Sequence, residues 1–169
     1  MTAGHARVPS DEELAEAARR LGERLEADDE QLAVAESCSG GLFGHVVTDV
    51  SEASNHFLGG VICYSSAVKE RMLGVPHDLI EDPGPVSEEV AQALLDGVLA
   101  RFPAASLAIS ITGVAGPESD ADGHPVGLTY IGVARRGGEP QVRRFVFEHG
   151  RDGNKRAAVL EALRLVTAE

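Results

Sequence analysis

The spacing of apolar residues divides the chain into alternating helical and extended segments. Between residues 10 and 27, apolar residues recur at three- and four-residue intervals, which predicts an amphipathic helix. The helix begins with the capping-box sequence SDEE, in which Ser10 is the N-cap and Glu13 reaches back to it. Short apolar runs favour buried strands instead, and they lie at residues 31–36, 57–65 and 106–112.

The remaining segments complete an α/β order. Further helices are predicted from Gly40 to about Val50, over residues 66–73, from Ser87 onwards and over residues 152–167. The runs VGLTYIGVA and QVRRFVF predict two neighbouring strands with the turn RRGGEP between them. The order α-β-α-β-α-α-β-β-β-α predicts a layered α/β domain, and the late hairpin makes its sheet mixed. Residues 1–9 are predicted to be a flexible tail, and residues 10–169 a single domain.

Composition limits the classes of function. Of the 169 residues, 43% are hydrophobic and 25% are charged, which is typical of one globular domain. The formal net charge of -12 argues against nucleic-acid binding, because contacts to phosphates need Lys and Arg. No apolar stretch predicts a membrane span or a signal peptide, so we expect a cytoplasmic protein. Two cysteines make no disulfide framework, and no ligand spacing predicts a metal site or cofactor.

Polar and glycine-rich sequences follow three of the predicted strands. They are ESCSGG at residues 36–41, YSSAVK at 64–69 and TGVAGP at 112–117. Ligands of open α/β sheets bind outside the carboxyl ends of the strands. The coincidence of three such loops therefore predicts a site there.

The first loop carries three consecutive candidate nucleophiles. Ser39 precedes a predicted helix, where a hydroxyl N-cap is favoured. Cys38 is intrinsically the better nucleophile, but no histidine follows closely to pair with it, and a buried thiol is the commoner outcome. Ser37 ends the strand, where its side chain can project into a cleft. The residues alone favour Ser37 only modestly over Cys38.

The second loop supplies a candidate base. Burial can lower the pKa of a lysine such as Lys69 enough for it to accept a hydroxyl proton, and Tyr64 can relay or donate a proton. A solvated helix lysine is an equally good interpretation of Lys69. Ser66 and Lys69 also match S-x-x-K, which keeps Ser66 as a rival nucleophile, although the partner motifs of that signature are missing.

The third loop and the start of the last helix are candidates for anion binding. Backbone amides of TGVAGP can hold a phosphate or a carbonyl oxygen, although glycine and proline also explain a sharp exit from the strand. Arg151, Lys155 and Arg156 lie near the start of the last helix, where a bound anion would compensate their unfavourable position. A solvated charged turn is the alternative.

Five ordered motifs together resemble the CinA C-terminal domain family, also called the nicotinamide-nucleotide amidase family. The resemblance runs from about residue 11 to 167. It depends on AESCSGG at 35–41, YSSAVKERMLGV at 64–75, GPVSEEV at 84–90, SITGVAGP at 110–117 and PVGLTYIG at 125–132.

This resemblance implies a three-layer α/β/α fold with a mixed, mostly parallel sheet. It also implies hydrolysis of nicotinamide mononucleotide to nicotinic acid mononucleotide and ammonia, without a cofactor or metal. Matched by motif, Ser37 is the nucleophile, and Tyr64 and Lys69 complete the catalytic set. The expected oxyanion and substrate-binding residues are Ser39, Gly40, Gly41, Thr112, Gly113, Ala115, Gly116 and Arg151.

The same resemblance leaves several points open. Ser39 stands where the family usually has threonine, and Ser66 where asparagine is common, so the second change can alter a hydrogen bond in the site. Family members commonly form homodimers, and many carry an N-terminal molybdopterin-binding-like domain, so we expect a dimeric stand-alone version. The alternatives are a catalytically weak or inactive nucleotide-binding module and a serine amidase for another amide.

Overall fold

The computed structural model describes residues 2–3 and 7–167. Its strands are β1 (Thr2–Ala3), β2 (Leu32–Glu36), β3 (Phe57–Ile62), β4 (Leu107–Gly113), β5 (Leu128–Arg135) and β6 (Gln141–Val146). Its α-helices are α1 (Asp11–Ala27), α2 (Leu42–Thr48), α3 (Ser66–Leu73), α4 (His77–Glu81), α5 (Glu88–Arg101) and α6 (Gly150–Thr167). A 3₁₀ turn covers Ala53–Asn55.

The strands form one mixed sheet in the order β1-β6-β5-β4-β2-β3. The pairs β1–β6, β4–β2 and β2–β3 are parallel, whereas β6–β5 and β5–β4 are antiparallel. The predicted mixed, mostly parallel sheet is therefore confirmed. Because β2, β3 and β4 run in the same direction, their carboxyl ends meet at one edge of the sheet, as predicted from the three polar loops.

Two hydrophobic cores cover the two faces of the sheet and make the domain three-layered. Alternate residues of β2 separate them, since Leu32 and Val34 pack in one core and Ala33 and Ala35 in the other. Helices α1, α2 and α6 contribute to the first core, and α3 and α5 to the second. Every residue of β2 is buried, which explains its continuous apolar sequence.

Local capping determines where the two best-patterned helices begin. Ser10 accepts a hydrogen bond from the Glu13 N–H, and the Glu13 carboxylate accepts one from the Ser10 N–H, so the predicted capping box is confirmed. Ser87 caps α5 by accepting from the Val90 N–H and also donates to the Gly84 carbonyl.

Three short elements, β1, the 3₁₀ turn and α4, were not predicted from the sequence, and β3 ends at Ile62 instead of residue 65. Strand β1 lies in the predicted N-terminal tail and pairs with β6. Residues 1 and 4–6 of that tail lie outside the described residues. Helix α4 lies between the predicted helices of residues 66–73 and Ser87, where no element was predicted, because five residues carry too little periodicity to be recognised. Helix α6 begins at Gly150 instead of residue 152, so Arg151 lies in its first turn. In the described part of the chain, no helix has the length and apolar character needed to cross a membrane.

Candidate active site

A cleft of about 400 Å³ opens at the carboxyl ends of the parallel strands. This volume is within the range of about 300–1,000 Å³ that is typical of small-molecule sites. The turn after β2 contributes Ser37 and Cys38 to its lining, the segment after β3 contributes Tyr64, Ser66 and Lys69, and the end of β4 leads into the opposite wall. A larger groove of about 640 Å³ lies against α3, α4 and α5, but no serine, cysteine or lysine lines it.

Ser37 and Lys69 form a buried pair at the base of this cleft. Lys69 Nζ lies 2.8 Å from Ser37 Oγ and 2.8 Å from the Cys63 carbonyl oxygen, and the lysine is only 2% exposed. Burial lowers the pKa of Lys69, because the charged ammonium loses its hydration. Of the two interpretations of Lys69, the buried one is therefore confirmed. Ser66 also lines the cleft, but Lys69 hydrogen-bonds to Ser37 and not to Ser66.

Cys38 and Cys63 are both buried free thiols, so the burial expected for Cys38 is confirmed. Burial raises the pKa of Cys38 to about 12, although the nearby Lys69 charge acts in the opposite direction. Burial raises the pKa of Cys63 as well. Since the thiolate is the reactive form of cysteine, neither thiol is activated as a nucleophile at neutral pH.

The predicted role of Ser39 as the N-cap of α2 is wrong. Gly41 occupies that position in the left-handed conformation, and as a glycine it has no side chain to cap the helix. The cap comes from Glu36 instead. Its carboxylate accepts hydrogen bonds from the N–H groups of Gly41, Phe43 and Gly44 at 2.9–3.0 Å, while Ser39 Oγ donates to it at 2.7 Å.

Glu36 also changes which backbone N–H groups are free to bind an oxyanion. The Gly41 N–H is used by the Glu36 carboxylate, and the Gly40 N–H donates to the Ser37 carbonyl at 3.1 Å. Within residues 7–167, the N–H groups of Cys38, Ala115 and Gly116 have no hydrogen-bond acceptor on another residue. These three residues line the cleft, whereas Gly40 and Gly41 do not.

Side chains from α6 hold the third loop in place. Asn154 is buried, donates to the Ala115 carbonyl at 3.0 Å and accepts from the His149 N–H at 2.9 Å. Arg151 donates to the Gly116 carbonyl, and its guanidinium lies 3.2 Å from the Tyr64 hydroxyl. The second and third loops therefore meet at Arg151.

Charges of both signs surround the cleft. Arg151 lines it, and so do three acidic residues of the segment that follows the third loop, Glu118, Asp120 and Asp122. Lys155 is a second cation near the nucleophile turn, because its Nζ would lie 3.7 Å from a Cβ built on Gly40. The predicted third cation, Arg156, bonds instead to Pro9 and Asp11.

One cluster among the described residues has the donor atoms for a metal ion. The ligand atoms of Asp120, Asp122 and His124 all lie within 4.8 Å of one another. However, His124 Nδ1 lies 2.7 Å from Asp120 Oδ2; burial acts to raise the pKa of Asp120, but the hydrogen bonds from His124 outweigh it and lower the pKa overall. The pair is thus satisfied within its own loop.

The structure brings most of the predicted site residues together. Lining residues are Ser37, Tyr64, Lys69, Gly113, Ala115, Gly116 and Arg151. Thr112 lies behind the lining, fully buried, and donates to the Pro85 carbonyl at 3.0 Å. Ser39 is fully buried too, and Tyr64 is 61% exposed with Arg151 as its hydrogen-bond partner. The contributions of Glu36 and Asn154 were missed; for Glu36, an acidic residue at the end of an apolar run was the available signal.

Comparisons with known proteins identify the family of this chain. Residues 14–169 match the family model of the CinA C-terminal domain. A CinA-like protein from Trichormus variabilis is 43% identical over 132 residues, which are 78% of this chain and 32% of that protein. A putative competence-damage inducible protein from Halothermothrix orenii is 42% identical over 135 residues, with 80% and 32% covered. The chain thus spans about a third of the length of these curated relatives.

Solved structures show the same fold. The competence/damage inducible protein CihA from Agrobacterium tumefaciens is 29% identical, with a TM-score of 0.86 over 97% of this chain and 98% of that one. A CinA superfamily protein from Klebsiella pneumoniae is 28% identical, with a TM-score of 0.88 over 92% and 96%.

Proposed function

The chain belongs to the CinA C-terminal domain family, and from that premise we propose that it is an amidohydrolase acting on nicotinamide mononucleotide. The products would be nicotinic acid mononucleotide and ammonia. The observation that carries this proposal is the buried hydrogen bond between Lys69 Nζ and Ser37 Oγ in an open cleft. A desolvated lysine next to a serine hydroxyl is an established way to activate an oxygen nucleophile.

The proposed reaction has two halves. Neutral Lys69 accepts the Ser37 proton as Oγ attacks the carboxamide carbon, and the resulting tetrahedral intermediate breaks its C–N bond. The Lys69 ammonium returns the proton to the leaving nitrogen, so ammonia departs and an ester to Ser37 remains. Water then attacks this ester with Lys69 again as the base, which yields the carboxylic acid and regenerates Ser37.

The Cys38 N–H is the best candidate donor to the oxyanion of this intermediate. It belongs to the residue directly after the nucleophile, which supplies one oxyanion donor in other serine hydrolases. It also has no acceptor on another residue in the described chain, in contrast to the N–H groups of Gly40 and Gly41. Free N–H groups of Ala115 and Gly116 are available on the opposite wall.

The charges around the cleft suit the two ends of this substrate. The pyridinium ring of nicotinamide mononucleotide is cationic, and the acidic residues Glu118, Asp120 and Asp122 line the same cleft as Ser37. The phosphate is anionic, and Arg151 and Lys155 are the nearby cations on α6. Arginine suits phosphate because its guanidinium donates several hydrogen bonds in one plane.

Ammonia release from nicotinamide mononucleotide tests the proposal directly. We expect Ser37→Ala to lower kcat by about 10⁴-fold or more, since the nucleophile is lost. Cys38→Ala is the matched control, because it removes the neighbouring thiol and keeps the backbone N–H. Full turnover by Ser37→Ala together with loss in Cys38→Ala would reverse the assignment of the nucleophile.

The same assay separates the alternative functions. Thermal stabilisation by nicotinamide mononucleotide without ammonia release would identify a nucleotide-binding module. Ammonia release from a different amide only, with the same dependence on Ser37, would identify a serine amidase of another specificity.

A further inference from the structure

We propose that Glu36 is a positioning residue for the reaction at Ser37. Its carboxylate holds residues 37–41 in the turn that presents Ser37 to Lys69 and leaves the Cys38 N–H unoccupied. This inference rests on the proposed function, because it concerns how the same nucleophile is presented. It adds a residue that the motif-based assignment of roles did not include.

Both oxygens of the Glu36 carboxylate accept hydrogen bonds from the turn that it supports. One oxygen, Oε2, accepts from Ser39 Oγ at 2.7 Å and from the N–H groups of Gly41 and Phe43 at 3.0 Å each. The other, Oε1, accepts from the Gly44 N–H at 2.9 Å. Glu36 is 2% exposed, and no basic side chain of residues 7–167 forms an ion pair with it. These four donors therefore offset the cost of burying its charge.

Each of the four donors around Glu36 requires a hydrogen-bond acceptor. An ionised carboxylate only accepts hydrogen bonds and has room for about four, which matches the four donors here. A glutamine has nearly the same shape, but its amide NH₂ would face one or more of the N–H groups of Gly41, Phe43 and Gly44. The turn would have to move to relieve this contact, and Ser37 is part of that turn.

The backbone of Glu36 connects the turn to the base as well. Its carbonyl accepts from the Cys63 N–H at 2.7 Å, and the Cys63 carbonyl in turn accepts from Lys69 Nζ at 2.8 Å. Glu36 thus positions both groups. Its side chain supports the turn that carries Ser37, and its main chain is linked through Cys63 to Lys69. A displacement of about 1 Å between reacting groups can reduce a rate by about 100-fold, so the rate should depend strongly on this support.

The test compares Glu36→Gln with wild type in two measurements. The first is kcat and KM for nicotinamide mononucleotide. The second is the rate at which phenylmethanesulfonyl fluoride modifies Ser37, followed by mass spectrometry; Oγ attacks sulfur, Lys69 takes the proton and fluoride leaves. We expect kcat and the modification rate to fall by about 100-fold while KM changes little, because the reacting groups are displaced and the binding wall is not.

A control variant separates positioning from general destabilisation. Ser10→Ala removes the N-cap of α1, a residue that does not line the cleft, and should destabilise the fold. It should keep wild-type kcat and Ser37 reactivity despite a lower Tm. If folded Glu36→Gln also keeps them, the proposal is overturned.

Further outcomes remain decisive. If Glu36→Gln does not fold, Ser39→Ala and Ser39→Thr replace it, since only threonine keeps the hydroxyl that donates to Glu36. Slower modification of Ser37 in the alanine variant with recovery in the threonine variant supports the proposal, and equal rates in Ser39→Ala and wild type overturn it. If phenylmethanesulfonyl fluoride modifies Ser37 of the wild-type protein readily but the protein releases no ammonia, only the proposed substrate is contradicted. Wild-type protein whose Ser37 is unreactive contradicts both proposals.

Discussion

Replacing Lys69 with methionine tests whether this lysine is the general base. Methionine has a similar length and fills the same buried space, but it carries no amine. General-base catalysis contributes about 10²–10⁴-fold, so we expect kcat to fall by that factor. The hydrogen bonds to Ser37 Oγ and to the Cys63 carbonyl, each 2.8 Å long, are lost at the same time.

The effect on stability has two opposing parts. Two buried hydrogen bonds contribute about 1 kcal/mol each, and their loss destabilises the folded state. Removing the amine also removes the cost of burying an ammonium in a site where Lys69 is 2% exposed. Because these parts act in opposite directions, urea unfolding of Lys69→Met is measured alongside its activity to show that a loss of activity does not reflect unfolding.

The direction in which the free energy of unfolding changes with pH identifies Lys69 as the titrating group. Burial lowers the pKa of Lys69 below its ordinary value of 10.5, so the unfolded chain binds a proton that the folded protein releases in the interval between the two values. In that interval wild-type stability rises with pH by up to about 1.4 kcal/mol per unit, whereas Lys69→Met lacks this slope. Below the folded-state pKa the lysine is protonated in both states and its full cost of burial is present.

Activity should follow the same ionisation. For wild type, log(kcat/KM) for ammonia release rises with pH and levels off at the pKa of Lys69 in the free enzyme, below 10.5. Arg71→Met is the control, because it removes an exposed cation from the same helix and should leave the profile unchanged. Near-wild-type kcat in Lys69→Met, or the same ionisation in its profile, would refute Lys69 as the base.

Two further variants probe the proposed phosphate contact and the close packing around Gly127. Arg151→Gln should raise KM for nicotinamide mononucleotide by about 10- to 100-fold, because hydrogen bonds to charged groups contribute about 1.5–3 kcal/mol. It should change KM little for nicotinamide riboside, which lacks the phosphate. Equal effects on both substrates would contradict a phosphate contact. Gly127→Ala should lower the free energy of unfolding by clearly more than the roughly 1–2 kcal/mol of its left-handed backbone, because a Cβ would lie 1.8 Å from the Phe147 carbonyl oxygen. Gly137→Ala, with a similar positive φ and open space around it, measures the backbone part alone in urea unfolding, and equal losses in the two variants would show that the close contact has no cost.

Local signals account for the elements that the sequence predicted well. The capping box at Ser10 and the hydroxyl cap at Ser87 specify where α1 and α5 begin, and both act within four residues. The buried strand β2 could be recognised because both of its faces are covered, so its apolar run is continuous. The position of the cleft followed from parallel strands ending at one edge.

The environment of Lys69 could not be obtained in this way. In the sequence it precedes Glu70 and Arg71, which is typical of a solvated helix face. Its burial depends on where α3 packs against α5 and on the loop after β2, which are contacts between segments distant in the chain. Periodicity describes one helix at a time and carries no information about its neighbours.

The error at Ser39 has a similar physical origin. N-cap preferences describe a short side chain that bonds to the helix directly following it. In this fold the long side chain of Glu36 reaches the same N–H groups from the end of β2, and Ser39 becomes a donor to Glu36 instead of an acceptor from α2. Glycine at the N-cap is then favoured, because Gly41 can adopt a φ of 96°. Once a carboxylate occupies these N–H groups, they are no longer free to bind an oxyanion, which is why the proposed reaction assigns that role to the Cys38 N–H earlier in the turn.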